Sequence, residues 1–471
     1  MTLALALVAC GGGGGSGSNA VAGGSTPSPS PAPPPTSSAC SLSAQQDFAD
    51  DVLNEWYLFP SLLDNSVNPA NFTSLQSYLD ARVAPARAQS RDRGFTFATS
   101  IQEENELINS GSSAGFGIRL SYDTVNDRVF VLEAYENAPG LNAGIDRGTE
   151  LLGIGTTSAN LQTVSSLMGS GGPQAVVNAL GPSTAGTARV IRFAQVDGTV
   201  VEISITKTNF ALDPISNRYG ALILNDGGKS VGYLNLRTFI VSDAANQLRE
   251  AFQLFGSQGV TELILDLRYN GGGLVSVADT MGDLMGQGRV GQVWSETVLR
   301  ASKSSENSTE LFESEVNAIQ PTRIAVIGTR STASASELVT NSMIPYVGSG
   351  MALVGSDTSG KPVGQFGFDL DECDLRIRAV TFQTINADGN GDYFTGLASV
   401  MPNTCRANDD ISIPFGDPRE ASIATALDFL AGRSCSAISG GAGQTAQTAG
   451  GREALQPERP NAAQYELPGL F

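Results

Sequence analysis

Residues 323–365 constrain this chain more than any other stretch. Arg323-Ile-Ala-Val-Ile-Gly328 is an apolar, β-branched run closed by glycine, the pattern of a buried strand. Ser331-Thr-Ala-Ser-Ala-Ser-Glu337 follows almost at once. Small polar residues at that point start a helix: Thr332 or Ser334 can cap it, and Glu337 falls in its first turn. A serine here stands at a strand-to-helix elbow, with its hydroxyl near backbone N–H groups and the positive end of a helix dipole. Such a place stabilises an oxyanion. The competing reading of Ser334 is a small residue at a tight strand–helix contact.

A nucleophilic serine needs a base. The chain has no histidine, which excludes a Ser-His-Asp triad and leaves lysine as the common choice. An exposed lysine titrates near ~10.4 and is a poor base at neutral pH, but desolvation favours the neutral amine. Lys361 lies between Gly360 and Pro362, after the apolar run Met351–Val354. Gly355–Gly360 reads as a strand-end loop that returns the amine to the serine.

Thr332-Ala-Ser-Ala-Ser-Glu337 together with Gly360-Lys-Pro-Val-Gly-Gln365 resembles the C-terminal processing peptidases, also called tail-specific proteases. That resemblance implies Ser334 as nucleophile, Lys361 as base and Gln365 as the residue that orients the lysine. Pro362 and Gly364 depart from the family's usual residues, and the lysine follows the serine by 27 positions, slightly more than is usual there. Arg268-Tyr-Asn-Gly-Gly-Gly273, after the buried run Leu263–Leu267, resembles the family's Asp-Leu-Arg-x-Asn-x-Gly-Gly signature. The resemblance places an oxyanion hole at the N–H of Gly272 or Gly273 and of Ala335. A glycine-rich loop could instead cradle phosphate, but no Gly-Lys-Ser/Thr follows and the surroundings are acidic. No metal or organic cofactor is implied.

The fold class implied is an α/β catalytic core of crotonase/Clp-like ββα units, with an N-terminal helical segment and a PDZ-like mixed α+β domain. Residues 40–110 read as helical: Phe48, Val52 and Trp56 recur at helical spacing, as do Leu75, Tyr78 and Leu79, and Ser43 with Gln46 resembles a capping box. Residues 111–210 resemble the family's PDZ domain. Gly115, Phe116, Gly117, Ile118 and Arg119 match its carboxylate-binding loop, and Ala138–Ile145 with Gly148–Leu152 match its following helix and strand. Such a domain takes a peptide as an added strand, with Arg119 a candidate to support the peptide's carboxylate. In the peptidase region 211–435, Val231–Leu236 reads as a strand, and Ala244, Ala245, Leu248, Ala251, Phe252 and Phe255 form one face of a helix ended by Gly259. Asp388-Gly-Asn-Gly-Asp392 begins like a calcium loop but has Tyr393 and Ser399 where glycine and glutamate belong, so it reads as a solvated turn.

With 471 residues, 41% hydrophobic and 16% charged, the chain can build two or three cores. A net charge of −19 disfavours nucleic acid as a partner. Leu7-Val-Ala-Cys10 resembles a bacterial lipobox, although the usual basic residues before it are missing. Residues 1–10 then read as a lipoprotein-type signal with Cys10 as the lipidation site. Residues 11–39, Gly/Ser-rich and then Pro-rich, read as a tether. The location expected is the bacterial cell envelope, lipid-anchored, with the membrane contacted through the lipid alone. Cys40, Cys373, Cys405 and Cys435 remain, an even number suited to an oxidising compartment. Of three connectivities, Cys373–Cys405 and Cys40–Cys435 are expected. Residues 436–471, rich in Gly, Ala and Gln, read as a disordered tail. The function implied is a serine endopeptidase acting on proteins or peptides with exposed C-termini. The alternative is a non-catalytic peptide-binding scaffold of the envelope.

Overall fold

The computed structural model describes residues 38–438 and 452–471. The expected signal 1–10, its Cys10, the tether up to residue 37 and residues 439–451 of the tail lie outside the described residues.

The C-terminal half is built on a six-stranded sheet in the order Ala221–Asp226, Lys229–Asn235, Glu262–Asp266, Arg323–Gly328, Met351–Gly355, Thr404–Arg406. The first pair is antiparallel and every later pair is parallel. The four central strands are apolar almost throughout because helices cover both faces. Ala244–Ser257, Val275–Met285 and Ala335–Val347 pack on one side with Leu263, Val326 and Leu353, and Ala421–Leu430 packs on the other with Ile264, Ala325 and Val354. Parallel strands all end at the same edge, so the loops after Asp266, Gly328 and Gly355 emerge together. Those loops carry Gly271–Gly273, Ser334 and Lys361.

Residues 112–211 form a second unit. Strands Ile118–Asp123, Arg128–Ala134, Glu150–Gly155, Ala188–Ala194 and Val200–Thr206 pair in that order, all antiparallel. Helix Val164–Leu180, kinked at Gly172 before Pro173, covers a core of Phe116, Ile118, Val131, Ile154 and Phe193. Buried ion pairs fix this unit against the larger one: Arg147 to Asp409 at 2.7 Å, and Arg237 to Glu133 at 2.6 Å and to Glu136 at 2.8 Å.

The N-terminal helices Leu42–Trp56, Leu75–Arg82, Ala84–Ala88 and Ile101–Ser110 have no core of their own. Val52, Leu53, Tyr57 and Leu79 pack on Ile377, Ala379 and Val380 of strand Leu375–Ile385, and strand Phe97–Thr99 pairs with that strand directly. Strand Leu375–Ile385 thus supplies part of the apolar surface on which these helices pack. The capping residue is Ser41, whose hydroxyl accepts the Ala44 N–H; Ser43 lies inside the helix, so the box expected from Ser43 and Gln46 is not the cap.

Two further expectations are corrected. The disulfides are Cys40–Cys373 and Cys405–Cys435, with Cα–Cα separations of 5.4 and 5.3 Å. The turn Ser38–Cys40 docks on Asp371–Cys373, and the chain after helix Ala421–Leu430 returns to the edge strand Thr404–Arg406. Residues 452–471 are ordered, not disordered: Leu455, Leu467, Leu470 and Phe471 are buried, Glu453–Ala454 pairs with Ile118–Asp123, and Ala462–Glu466 is helical. Averaging composition over 436–471 hid the apolar residues at its far end. Among the described residues, no helix is long and apolar enough to cross a membrane.

Candidate active site

Ser334 sits at the N-cap of helix Ala335–Val347 with φ +54° and ψ −117°, a conformation L-residues rarely adopt. Such strain costs about 1–3 kcal/mol and persists only where neighbours over-determine it. Here the Ala333 N–H donates to Asn270 O at 3.0 Å, and the Ser334 N–H donates to Glu337 Oε2 at 3.1 Å.

Glu337 is the hub of the site. Fully buried, it also accepts the N–H groups of Gly360 and Lys361, both at 2.7 Å, and the Thr358 hydroxyl at 2.5 Å. Its single carboxylate therefore ties the serine elbow to the lysine loop. Burial pushes its pKa up, against the pull of those four hydrogen bonds. Sequence reading saw only its place in the first helical turn.

The Lys361 ammonium donates to Gln365 Oε1 at 2.7 Å and lies 5.0 Å from the Phe95 ring centroid. Gln365 is fixed in turn by its amide N–H bond to Phe95 O. Loss of water pushes the lysine pKa below its ordinary value; the charges of Glu466, Asp92 and Glu337 push it back up, and Arg378 reinforces the fall. Arg93 donates to Gly360 O at 2.7 Å and so clamps the same loop from the N-terminal segment. Neither Arg93 nor Phe95 carries any local signal, because their roles depend on contacts some 270 residues away. Ser334 Oγ and Lys361 Nζ make no hydrogen bond to each other.

The glycine loop faces the serine. Gly272 has φ +111°, and a Cβ there would stand 2.6 Å from Ser334 Cβ, so glycine is required. The Gly272 N–H is already taken by Asn270 Oδ1 at 3.0 Å. The N–H groups of Gly273 and of Ala335, the first residue of the helix, have no protein acceptor among the described residues. Beneath the loop, buried Arg268 bonds Asp266 at 2.8 Å, Glu420 at 2.9 Å and Asp409 at 3.0 Å, which fixes the turn that presents the glycines.

Of the five residues expected to bind peptide, Gly115, Phe116, Gly117 and Ile118 line the strand edge where residues 469–471 pair. Ile118 exchanges two main-chain hydrogen bonds with Phe471, at 3.1 and 2.9 Å. Arg119 points the other way, as strand alternation requires. Its guanidinium is buried 3.9 Å from Glu133 and 5.7 Å from the Tyr269 ring, in the interface between the two units. Residues 386–392 form a turn closed by mutual bonds of Asn386 and Asn390. Among the described residues, no cluster of carboxylates and cysteines is placed to hold a metal.

Residues 230–398, which hold Ser334, Lys361, Gln365 and the glycine loop, match the family described as Peptidase family S41. A carboxyl-terminal-processing protease of Picosynechococcus is 25% identical over 337 residues, 69% of this chain and 72% of that protein. One from Synechocystis is 23% identical over 417 residues, 84% of this chain and 89% of that protein. In structure, the chain is similar to an S41 protease from Bacteroides fragilis: TM-score 0.64 and 23% identity, covering 82% of this chain and 97% of that one.

Proposed function

We propose that this chain is a serine endopeptidase of the C-terminal processing type, in which Ser334 is the nucleophile and Lys361 the base; the match of residues 230–398 to peptidase family S41 and the similarity to carboxyl-terminal-processing proteases support the reading. Support comes chiefly from one arrangement. The Glu337 carboxylate holds the strained serine elbow and the lysine loop together, while burial favours the neutral amine. In the proposed reaction, Ser334 Oγ attacks the scissile carbonyl carbon and its proton passes to the Lys361 amine. The oxygen that gains the electron pair accepts hydrogen bonds from the Gly273 and Ala335 N–H groups. Lys361 returns the proton to the leaving amine as the C–N bond breaks. Water, deprotonated by the same amine, then hydrolyses the acyl-enzyme.

The unit 112–211 is read as a PDZ-like module that captures a peptide as an added strand on Ile118–Asp123. Cys10 is read as a lipid-bearing cysteine that holds the enzyme to the bacterial cell envelope.

Hydrolysis of casein tests the reading. Ser334→Ala should abolish it with the melting temperature unchanged. Lys361→Arg, which keeps the charge, should be as inactive as Lys361→Ala, because a guanidinium does not give up its proton at working pH. An active Ser334→Ala would move the nucleophile elsewhere, an active arginine variant would move the base, and hydrolysis by neither the natural chain nor a variant with the peptide edge freed would return the chain to the scaffold reading.

A further inference from the structure

The peptide edge of the 112–211 unit is already occupied by this chain's own residues 453–471. The segment reaches the edge twice. Glu453–Ala454 pairs with Tyr122 and Ser121, and the Leu455 N–H donates to Leu120 O at 2.9 Å. After helix Ala462–Glu466, the chain returns beside Arg119: the Leu120 N–H donates to Gly469 O at 2.8 Å, and Phe471 exchanges its two bonds with Ile118. Phe471 is 2% exposed and joins the core of the unit with Phe116, Ile118 and Val177. Gly115 allows this approach, since a Cβ there would stand 2.7 Å from the Phe471 carbonyl carbon.

Between those two contacts the segment crosses the candidate active site. Gly271, beside the proposed oxyanion loop, stands where the family signature leaves the residue free. A Cβ on it would lie 2.5 Å from Glu466 O. Tyr465 stacks on Phe97 at 3.8 Å, and Gln464 donates to Leu470 O at 2.8 Å, which pins the short helix. The Glu466 carboxylate is close enough to Lys361 for its charge to favour the protonated amine. Near the other contact, Arg452, Glu453 and Ala454 help enclose a cavity of about 390 Å³ that Arg330, Ser331 and Ser359 also line.

We propose that residues 453–471 are a tethered ligand that keeps the enzyme latent, and that the edge they occupy takes extended peptides with a bulky apolar residue at the Phe471 position. A substrate of that class would have to replace the segment, and the replacement would both open the site and remove Glu466 from the base. The latency half rests on the peptidase reading; the binding half does not. Main-chain pairing supplies affinity for any extended peptide, and the Phe471 pocket supplies the selection. Pre-occupation lowers the apparent affinity for an outside peptide by the fraction of molecules with the edge free.

The experiment measures binding of a fluorescein-labelled peptide copying residues 461–471, by anisotropy, to full-length Ser334→Ala protein with and without Phe471→Asp. A charge in the apolar pocket should release the segment, and the peptide should bind about tenfold or more tightly in the released protein. Equal affinity in both, or binding in neither while both melt cooperatively, overturns the proposal. Should Phe471→Asp fail to fold, Phe471→Ala carries the same comparison with a smaller gain. Amide exchange at Ile118 and Leu120 is the second readout: it should quicken in either variant and slow again when peptide is added, and unchanged exchange overturns the docking. With Ser334 restored, Phe471→Asp should hydrolyse casein severalfold faster than the natural chain. No gain despite tighter peptide binding overturns the latency. Activity that survives Ser334→Ala overturns Ser334 as the nucleophile and leaves the binding result standing.

Discussion

Glu337→Gln isolates what the shared carboxylate does. The amide keeps the shape of the side chain but exchanges one acceptor oxygen for a donor. Four donors converge on the natural carboxylate, those of Ser334 and Lys361 on Oε2 and those of Thr358 and Gly360 on Oε1. In the least costly orientation the new NH₂ faces Thr358, whose hydroxyl turns to accept, and only the Gly360 N–H loses its acceptor. The two bonds left on the carbonyl oxygen then fall from charge-assisted to neutral, about half their strength. One lost and two weakened bonds amount to about 2–4 kcal/mol, with some returned because no charge is buried. If that energy holds serine and lysine in register, kcat for casein or a fluorogenic peptide should fall about a hundredfold, since each ~1.4 kcal/mol is a factor of ten. KM should move little, because the peptide edge lies on the other unit. Glu337→Ala, which leaves all four donors without an acceptor, should also lower the melting temperature. A folded Glu337→Gln enzyme with natural kcat, or with its loss entirely in KM, would refute the idea that this carboxylate sets the catalytic geometry.

Two further outcomes follow from the charges around the lysine and from the N-terminal motif. A base must be neutral to act, so kcat/KM should fall as pH drops through the Lys361 pKa, which burial holds below the ordinary lysine value. Because the Glu466 charge favours the protonated amine, Glu466→Gln should move that acid limb to lower pH; a limb that stays in place or moves upward would show that Glu466 does not face the base in the free enzyme. Cys10→Ser should shift the protein from the detergent phase to the aqueous phase, since stable anchoring takes two acyl signals, and mass spectrometry finding no lipid on Cys10 of the mature chain would end the anchor reading.

The parts of this molecule that were legible in the sequence are those whose signal is local. Ile324–Gly328 and Leu263–Leu267 announce buried parallel strands because both faces of such strands are covered, and the helix face of Leu248, Ala251, Phe252 and Phe255 is buried as its spacing predicts. The serine elbow and the contact of Lys361 with Gln365 were legible because each follows from a short local pattern at the end of a strand. What escaped depends on distant approach: the partners of Cys40 and Cys435, the Arg93 clamp, and the shared core under the N-terminal helices. The segment 452–471 escaped for a different reason. Its pattern is neither helix nor strand, because it is shaped by a strand edge that belongs to another unit. Leu-Pro-Gly-Leu-Phe471 has no periodicity to read; it makes sense only beside Gly115–Leu120, where main-chain bonds are waiting and a pocket fits one ring. A ligand carried in the same chain as its site has a ligand's composition, and a reading that looks for folded elements passes over it for the same reason that an unbound peptide has no fold.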